Sequence, residues 1–147
     1  MSGILQGRVA IITGAGGGLG AAHAKVFASE GCAVVVNDIN TGAAHSVVDE
    51  IIAAGGKAVV NSSDITNYDD SLNAIKQALE SYGELHIVLN NAGVNRDRMF
   101  ASMTEQEWDT IMAVHLKGHF CISSHAVHYW RGRSKEGKPV DARIINT

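Results

Sequence analysis

The sequence predicts a doubly wound α/β fold, in which helices cover both faces of a parallel β-sheet. Short apolar runs alternate with segments whose apolar residues recur at helical spacing. The run AVVVN (33–37) is apolar almost throughout, which is typical of a strand that is buried on both faces. Because parallel strands need crossover connections, this alternation predicts right-handed βαβ units.

Five strands are predicted from short runs that are rich in β-branched residues. They cover residues 9–13, 33–37, 57–61, 86–90 and 143–146. A polar loop that runs through Pro139 precedes the last of them. We expect the doubly wound fold to be truncated after this fifth strand.

Helices are predicted in the segments that separate the strands. The first ends near Gly31, the second covers about 41–54, and the third ends at Gly83. The T-x-x-E pattern of Thr104 and Glu107 is a capping box, which predicts that a long fourth helix begins there. The inward-facing stripe of this helix is predicted to contain Trp108, Ile111, Met112, His115, His119 and Ile122.

Length and composition predict a single domain over residues 1–147. The formal net charge is −3 with acids and bases mixed, so we expect no nucleic-acid partner. Cys32 and Cys121 lie far apart in apolar settings, which favours reduced, buried thiols over a disulfide. No basic segment opens the chain and no apolar run approaches the ~20 residues of a membrane helix. We therefore expect a cytoplasmic protein without a membrane partner.

The glycine-rich stretch TGAGGGLG (13–20) lies between the first predicted strand and the first helix. Gly14 would allow a tight turn, Gly18 would leave the backbone open to a pyrophosphate, and Gly20 would let the helix pack closely on the sheet. Free N–H groups and the positive end of the helix dipole would then hold the phosphates. The alternative is a merely flexible turn, but its position in a βαβ unit favours a dinucleotide site.

Asp38 ends the second predicted strand and is the expected partner of the adenosine ribose. A carboxylate there accepts hydrogen bonds from both ribose hydroxyls and repels a 2′-phosphate. No Arg or Lys follows it immediately, so the sequence favours NAD over NADP. The alternative is an exposed turn aspartate without a ligand.

Four motifs in order along the chain resemble those of the short-chain dehydrogenase/reductase family. They are Thr13-Gly14-x3-Gly18-x-Gly20, Asp38, Asp64-Ile65 and Asn90-Asn91-Ala92-Gly93. The resemblance implies a Rossmann-like fold and NAD(P)-dependent hydride transfer to or from a secondary alcohol or ketone, in a homodimer or homotetramer. The cofactor-binding residues that it implies are Gly14, Gly16, Gly18, Leu19, Gly20, Asp38, Ile39, Asp64, Ile65, Asn91, Ala92 and Gly93.

Two of these motifs also have a structural interpretation. Asp64 would accept a hydrogen bond from the exocyclic amine of adenine while Ile65 packs on the ring; alternatively, Asp64 caps the helix that follows. Asn91 would tie neighbouring strands together through its amide, and Ala92 and Gly93 would leave space beside the adenosine ribose. A purely structural turn is the alternative for this second motif.

His115 stands where the family usually carries a helix asparagine that takes part in a proton relay. Because that role is attributed to a backbone carbonyl, His115 is the candidate catalytic residue of this chain; the alternative is a core histidine. The motif Val114-His115-Leu116-Lys117-Gly118 also resembles the dehydrogenase part of peroxisomal multifunctional enzymes that act on 3-hydroxyacyl-CoA. His115 and His119 lack the glutamate of the H-E-x-x-H zinc motif, so we expect no metal site.

The family's catalytic serine, tyrosine and lysine cannot be assigned in these 147 residues. The resemblance would place the serine about two residues past Thr147. We therefore expect the chain to be the NAD-binding half of a longer enzyme, truncated after the fifth strand and inactive by itself. Two alternatives stay open: a non-catalytic dinucleotide-binding module, and one half of a split assembly that a second chain completes.

Overall fold

A computed structural model describes residues 3–147 and confirms the predicted fold class. The sheet contains five parallel strands in the order β3-β2-β1-β4-β5. Their bounds are Val9–Thr13 (β1), Ala33–Asn37 (β2), Lys57–Asn61 (β3), Ile87–Asn90 (β4) and Arg143–Asn146 (β5). The strand order reverses between β1 and β4, and such a switch point opens a crevice at the carboxyl edge of the sheet.

Helices cover both faces of the sheet, as a doubly wound fold requires. They are Gly18–Ser29 (α1), Thr41–Ala53 (α2), Tyr68–Tyr82 (α3), Glu105–Met112 (α4) and His119–Lys135 (α5). A short 3₁₀ helix, Phe100–Ser102, precedes α4, and a π-helical segment, Ala113–Gly118, joins α4 to α5. Within residues 3–147, no helix is both long and apolar enough to pass through a bilayer.

Two hydrophobic cores lie on opposite faces of the sheet because successive strand residues point to opposite sides. Ile12 and Val34 pack with α1 and α2, whereas Ile11, Val35 and Val88 pack with α3 and α5. All five of these side chains are fully buried. Burial of each contributes about 1.5–3 kcal/mol, so the central strands form a rigid platform for the loops at their ends.

The long predicted helix begins where the sequence indicates. Thr104 accepts a hydrogen bond from the Glu107 N–H, and the Glu107 carboxylate accepts one from the Thr104 N–H. This reciprocal pair confirms the capping box, and Arg98 adds an ion pair to the same carboxylate. The start of α4 is thereby fixed next to the loop that follows β4.

The inward stripe predicted for the long helix is wrong at Trp108 and His115, whereas its last member, Ile122, is fully buried as predicted. Trp108 is 52% exposed and His115 is also exposed. Trp108 lies on α4, which contains no buried residue, and the wider turn of the π-helical segment after it rotates the buried face before α5 begins. Beyond it the buried positions of α5 are Cys121, Ile122, Ala126 and Trp130.

Candidate functional site

A cleft of about 560 Å³ opens at the carboxyl edge of the sheet, above the ends of β1 to β4. This volume is within the range of small-molecule and cofactor sites. The predicted residues that line it are Gly14, Leu19, Gly20, Asp38, Ile39, Asp64, Ile65, Asn91, Ala92 and Gly93. Residues outside the predicted cofactor-binding set also line it: Gly17, Asn37, Ser63, Thr66, Val94 and Val114. The predicted Gly16 and Gly18 are not among the lining residues.

The glycine loop allows backbone segments to approach more closely than side chains would permit. Gly14 has a φ angle of +60°, and a Cβ atom there would lie 2.7 Å from the Ala92 Cα. A Cβ atom at Gly20 would lie 2.2 Å from the Gly14 carbonyl oxygen. These contacts agree with the tight turn and the close helix packing predicted for the two glycines.

The amino terminus of α1 faces the cleft without a side-chain cap. Its N-cap, Gly17, has no side chain to accept from the first N–H groups, and the first turn contains no acidic residue. Unpaired N–H groups at a helix start attract anions. The loop therefore has the chemistry to hold phosphate groups, and Asp38 on the neighbouring strand supplies a complementary acceptor.

Asp38 is half-buried and held by main-chain donors at the mouth of the cleft. Its Oδ2 accepts a hydrogen bond from the Gly16 N–H at 2.9 Å, and its Oδ1 accepts one from the Asn40 N–H at 2.9 Å. Each carboxylate oxygen has a second lone pair that can accept from a ligand hydroxyl. Gly16 therefore contributes by orienting Asp38.

Asp64 lies in the loop between β3 and α3, where it lines the cleft. Its Oδ1 accepts hydrogen bonds from the Thr66 N–H at 2.8 Å and the Thr66 hydroxyl at 2.7 Å. The side-chain cap of α3 is Asn67, which accepts from the Asp70 N–H. The alternative interpretation of Asp64 as the helix cap is therefore wrong.

Asn91 connects β4 to β1, as expected. Its Nδ2 donates to the Thr13 carbonyl oxygen at 3.0 Å and lies 3.3 Å from that of Gly14. The buried Thr13 hydroxyl oxygen accepts from the N–H groups of Asn91 and Ala92, both at 3.0 Å. These bonds fix the floor of the cleft between the two central strands.

His115 projects from the π-helical segment towards the loop after β4. Its Nε2 lies 2.8 Å from the Val94 carbonyl oxygen and 3.1 Å from the Val94 amide nitrogen. Its Cε1 lies 2.8 Å from the position that a Cβ atom of Gly93 would take. His115 is exposed, so the alternative of a core histidine is wrong. The ring lies beside the cleft, because the adjacent residue Val114 lines that cleft.

His119 lies one turn further along, at the start of α5. Its Nε2 is buried and has no hydrogen-bond partner among residues 3–147. Burial, together with the nearby His115, lowers the pKa of this imidazole. No group of three or more His, Cys, Asp or Glu side chains in the described part of the chain is arranged to hold a metal ion.

Comparison with known proteins places this geometry in a family. The family model described as short chain dehydrogenase matches residues 8–147. A crystal structure of a short chain dehydrogenase from Mycobacterium avium superposes with a TM-score of 0.96 and 54% identity, over 98% of this chain and 55% of that one.

Two curated relatives are named for their activities. The hydroxyacyl-CoA dehydrogenase ChsB1 of Mycobacterium tuberculosis is 45% identical over 97% of this chain and 47% of its own length. The peroxisomal hydratase-dehydrogenase-epimerase of Neurospora crassa is 43% identical over 97% of this chain and 16% of its own length. The chain thus spans about half of the first relative and a smaller share of the second.

Proposed function

Because the chain belongs to the short-chain dehydrogenase family, we propose that its cleft binds NAD for an oxidoreductase. The observation that carries this proposal is the position of Asp38, whose carboxylate is tied to Gly16 directly beside the uncapped start of α1. An acid at this point favours free ribose hydroxyls over a 2′-phosphate. NAD is therefore the proposed cofactor and NADP the weaker ligand.

The lining of the cleft supports one direction for the dinucleotide. Asp38 and Ile39 would contact the adenosine ribose and the base, and Asp64 with Ile65 would contact the far edge of the adenine. The pyrophosphate would lie against the N–H groups near Gly17. The nicotinamide half would extend towards the end of the cleft that Val94 and Val114 line.

The proposed reaction is hydride transfer between nicotinamide and a secondary alcohol or ketone, and the nicotinamide supplies the hydride chemistry when it is bound. A 3-hydroxyacyl thioester is the proposed substrate class, supported by the name of the ChsB1 relative and by the Val114–Gly118 motif. Within this reaction, the residues of this chain bind and orient the cofactor, and His115 holds the adjoining loop. We infer that the proton-transferring groups lie in a further part of the protein, so residues 1–147 alone would bind NAD without turnover.

The assembly and the cellular location are part of the same proposal. The full-length enzyme would be a homodimer or homotetramer in the cytoplasm. No nucleic acid or membrane is a proposed partner.

Calorimetric titration with NAD tests the proposed function, and Gly17 offers a sharp variant. A Cβ atom at Gly17 meets no protein atom within 4 Å, and its φ of −167° suits a β-branched residue. Gly17→Val should therefore fold, yet its side chain would occupy the space proposed for the pyrophosphate. We expect NAD affinity to fall at least ~10-fold, which corresponds to about 1.4 kcal/mol.

Gly132→Val is the matched control, because Gly132 lies on α5 and its Cβ position is also free of contacts. It should bind NAD like the unmodified chain. Equal affinities of the two variants, or no binding heat from the folded unmodified chain at millimolar NAD, would contradict the proposal.

A further inference from the structure

We propose that Asn37 and Asn61 act as a buried pair of positioning residues that sets the base specificity of the cleft. Resting on the proposed function, this inference assigns the pair to the adenine end of the cofactor. The pair would hold Asp64 where it accepts a hydrogen bond from an exocyclic amine, so that adenine is preferred over a base with a carbonyl at the same position.

The two amides form a closed hydrogen-bond network at the ends of β2 and β3. The Asn37 Nδ2 donates to the Asn61 Oδ1 at 2.8 Å and to the Ser63 carbonyl oxygen at 3.0 Å. The Asn61 Oδ1 also accepts from the Ser63 N–H at 3.2 Å. Asn37, Asn61 and Ser63 are 2%, 6% and 6% exposed, so water competes little for these bonds.

Main-chain groups determine the orientation of both amides. A carbonyl oxygen can face only a donor, so the atom of Asn37 next to the Ser63 carbonyl must be Nδ2. An N–H can face only an acceptor, so the atom of Asn61 next to the Ser63 N–H must be Oδ1. The network therefore has one arrangement, and a side chain without the amide breaks it.

The same two asparagines connect the three parts of the proposed NAD site. The Asn37 carbonyl oxygen accepts from the Ala15 N–H of the glycine loop at 2.9 Å. The Asn61 carbonyl oxygen accepts from the Asp38 N–H at 3.0 Å. Since both are main-chain bonds, they survive side-chain substitution. Only the link to the Ser63 loop depends on the amides.

The position of Asp64 depends on that link, because Asp64 directly follows Ser63. From the other side, the Asp64 N–H donates to the Asp70 Oδ2 at 2.7 Å, and Thr66 holds one carboxylate oxygen. Loss of the amide network would free the Ser63 side of the loop alone. We expect the Asp64 carboxylate to move away from the position in which it can accept a hydrogen bond from the base. Asp38 should stay in place.

The test compares NAD with nicotinamide hypoxanthine dinucleotide, which carries a carbonyl group in place of the adenine amine. Both ligands present the same ribose and phosphates, so their affinity ratio reports on base recognition alone. We expect the unmodified chain to prefer NAD by ~10-fold. Asn61→Ala and Asn37→Ala should reduce this preference to ~3-fold or less, because each removes a buried partner of the Ser63 loop.

Ser71→Ala is the matched control for the loss of a buried hydrogen bond. Ser71 is fully buried in α3, donates to the Tyr68 carbonyl oxygen at 2.7 Å and does not line the cleft. Ser71→Ala should retain the ratio of NAD affinity to hypoxanthine dinucleotide affinity that the unmodified chain shows. Its melting temperature should be comparable to those of the asparagine variants. If Asn61→Ala does not fold, Asn61→Ser replaces it, since its shorter side chain cannot span the distance to Asn37.

The outcomes separate this inference from the proposed function. An unmodified chain that binds no NAD contradicts the proposed function. A chain that binds NAD but shows a ratio near one, or folded asparagine variants that retain the full ratio, overturns the inference and leaves NAD binding intact.

Discussion

The imidazole of His115 lies within hydrogen-bonding distance of both main-chain polar groups of Val94. Its Nε2 is 2.8 Å from the carbonyl oxygen and 3.1 Å from the amide nitrogen. A protonated Nε2 donates to the carbonyl, and an unprotonated Nε2 accepts from the N–H, so only one of these bonds forms at a time. In either state the ring ties the π-helical segment to the loop that borders the cleft.

Removal of this ring should loosen the loop after β4. In His115→Leu, which preserves side-chain bulk, the amide hydrogen of Val94 should exchange ~10-fold faster, because its side-chain partner is lost. Hydrogen exchange followed by NMR measures this rate. His128→Leu on the outer part of α5 is the control, since the His128 ring contacts its own helix at Ser124. Equal protection of Val94 in all three proteins would show that the contact does not hold the loop.

Replacement of Asp38 should change cofactor preference. Asp38→Ala removes the proposed ribose acceptor and the repulsion of a 2′-phosphate, so NAD should bind ~10-fold more weakly while the relative affinity for NADP rises. Titration of both cofactors measures the ratio, and Asp49→Ala on the exposed side of α2 is the control. An unchanged ratio in Asp38→Ala would remove this carboxylate from the ribose site.

His86 should make stability depend on pH. Its Nδ1 accepts from the Val9 N–H at 3.1 Å, and burial, followed by the charge of Arg8, lowers the pKa of the ring. Because the fold favours the neutral ring, its contribution is complete above about pH 6.5. It declines as the pH falls below that value towards the lower pKa of the folded state, with a slope of up to about 1.4 kcal/mol per pH unit.

Urea denaturation at several pH values between 5 and 8 measures this dependence. His86→Asn keeps an acceptor for the Val9 N–H but does not titrate, so its stability should change less over the acidic range. His45→Asn, on the exposed face of α2, should reproduce the slope of the unmodified chain. A slope that is the same in His86→Asn would assign the pH dependence to other groups.

Both cysteine thiols should be inert in the folded chain. Burial raises the pKa of Cys32 to about 12 and also raises that of Cys121. Since the thiolate is the reactive form, a disulfide reagent at pH 8 should label neither residue until the protein unfolds. Fast labelling of either thiol without denaturant would show that the segment around that cysteine opens readily.

The sequence was sufficient to predict the sheet and most of the cleft. Short, β-branched apolar runs such as 33–37 are typical of strands that are covered on both faces, and all five predicted strands are present. The glycine loop and Asp38 were predictable because each directly follows a predicted strand. The carboxyl ends of neighbouring parallel strands lie side by side, so residues that follow these strands come close together. Their contact through Gly16 is a direct result of that geometry.

The π-helical segment and the asparagine pair were not predictable by the same reasoning. A periodicity of 3.6 residues assumes a regular helix, so the predicted stripe placed His115, which lies in the π-helical segment, on the buried side. Asn37 and Asn61 are far apart in sequence and meet only because β2 and β3 pair in register. Near α3, several adjacent polar residues could have capped the helix, and only the packed loop selects Asn67 over Asp64.

The crowding between Gly14, Gly20 and Ala92 determines where this scaffold can be redesigned. Replacing Gly14 or Gly20 would drive a methyl group into neighbouring main chain, so these two positions of the glycine loop cannot be changed without displacing the backbone. Ile39, in contrast, is 75% exposed at the rim. Variants that are designed to change the proposed cofactor preference should therefore be made at Ile39, shortly after β2. A new side chain there extends into solvent and leaves the close contacts of Gly14 and Gly20 unchanged.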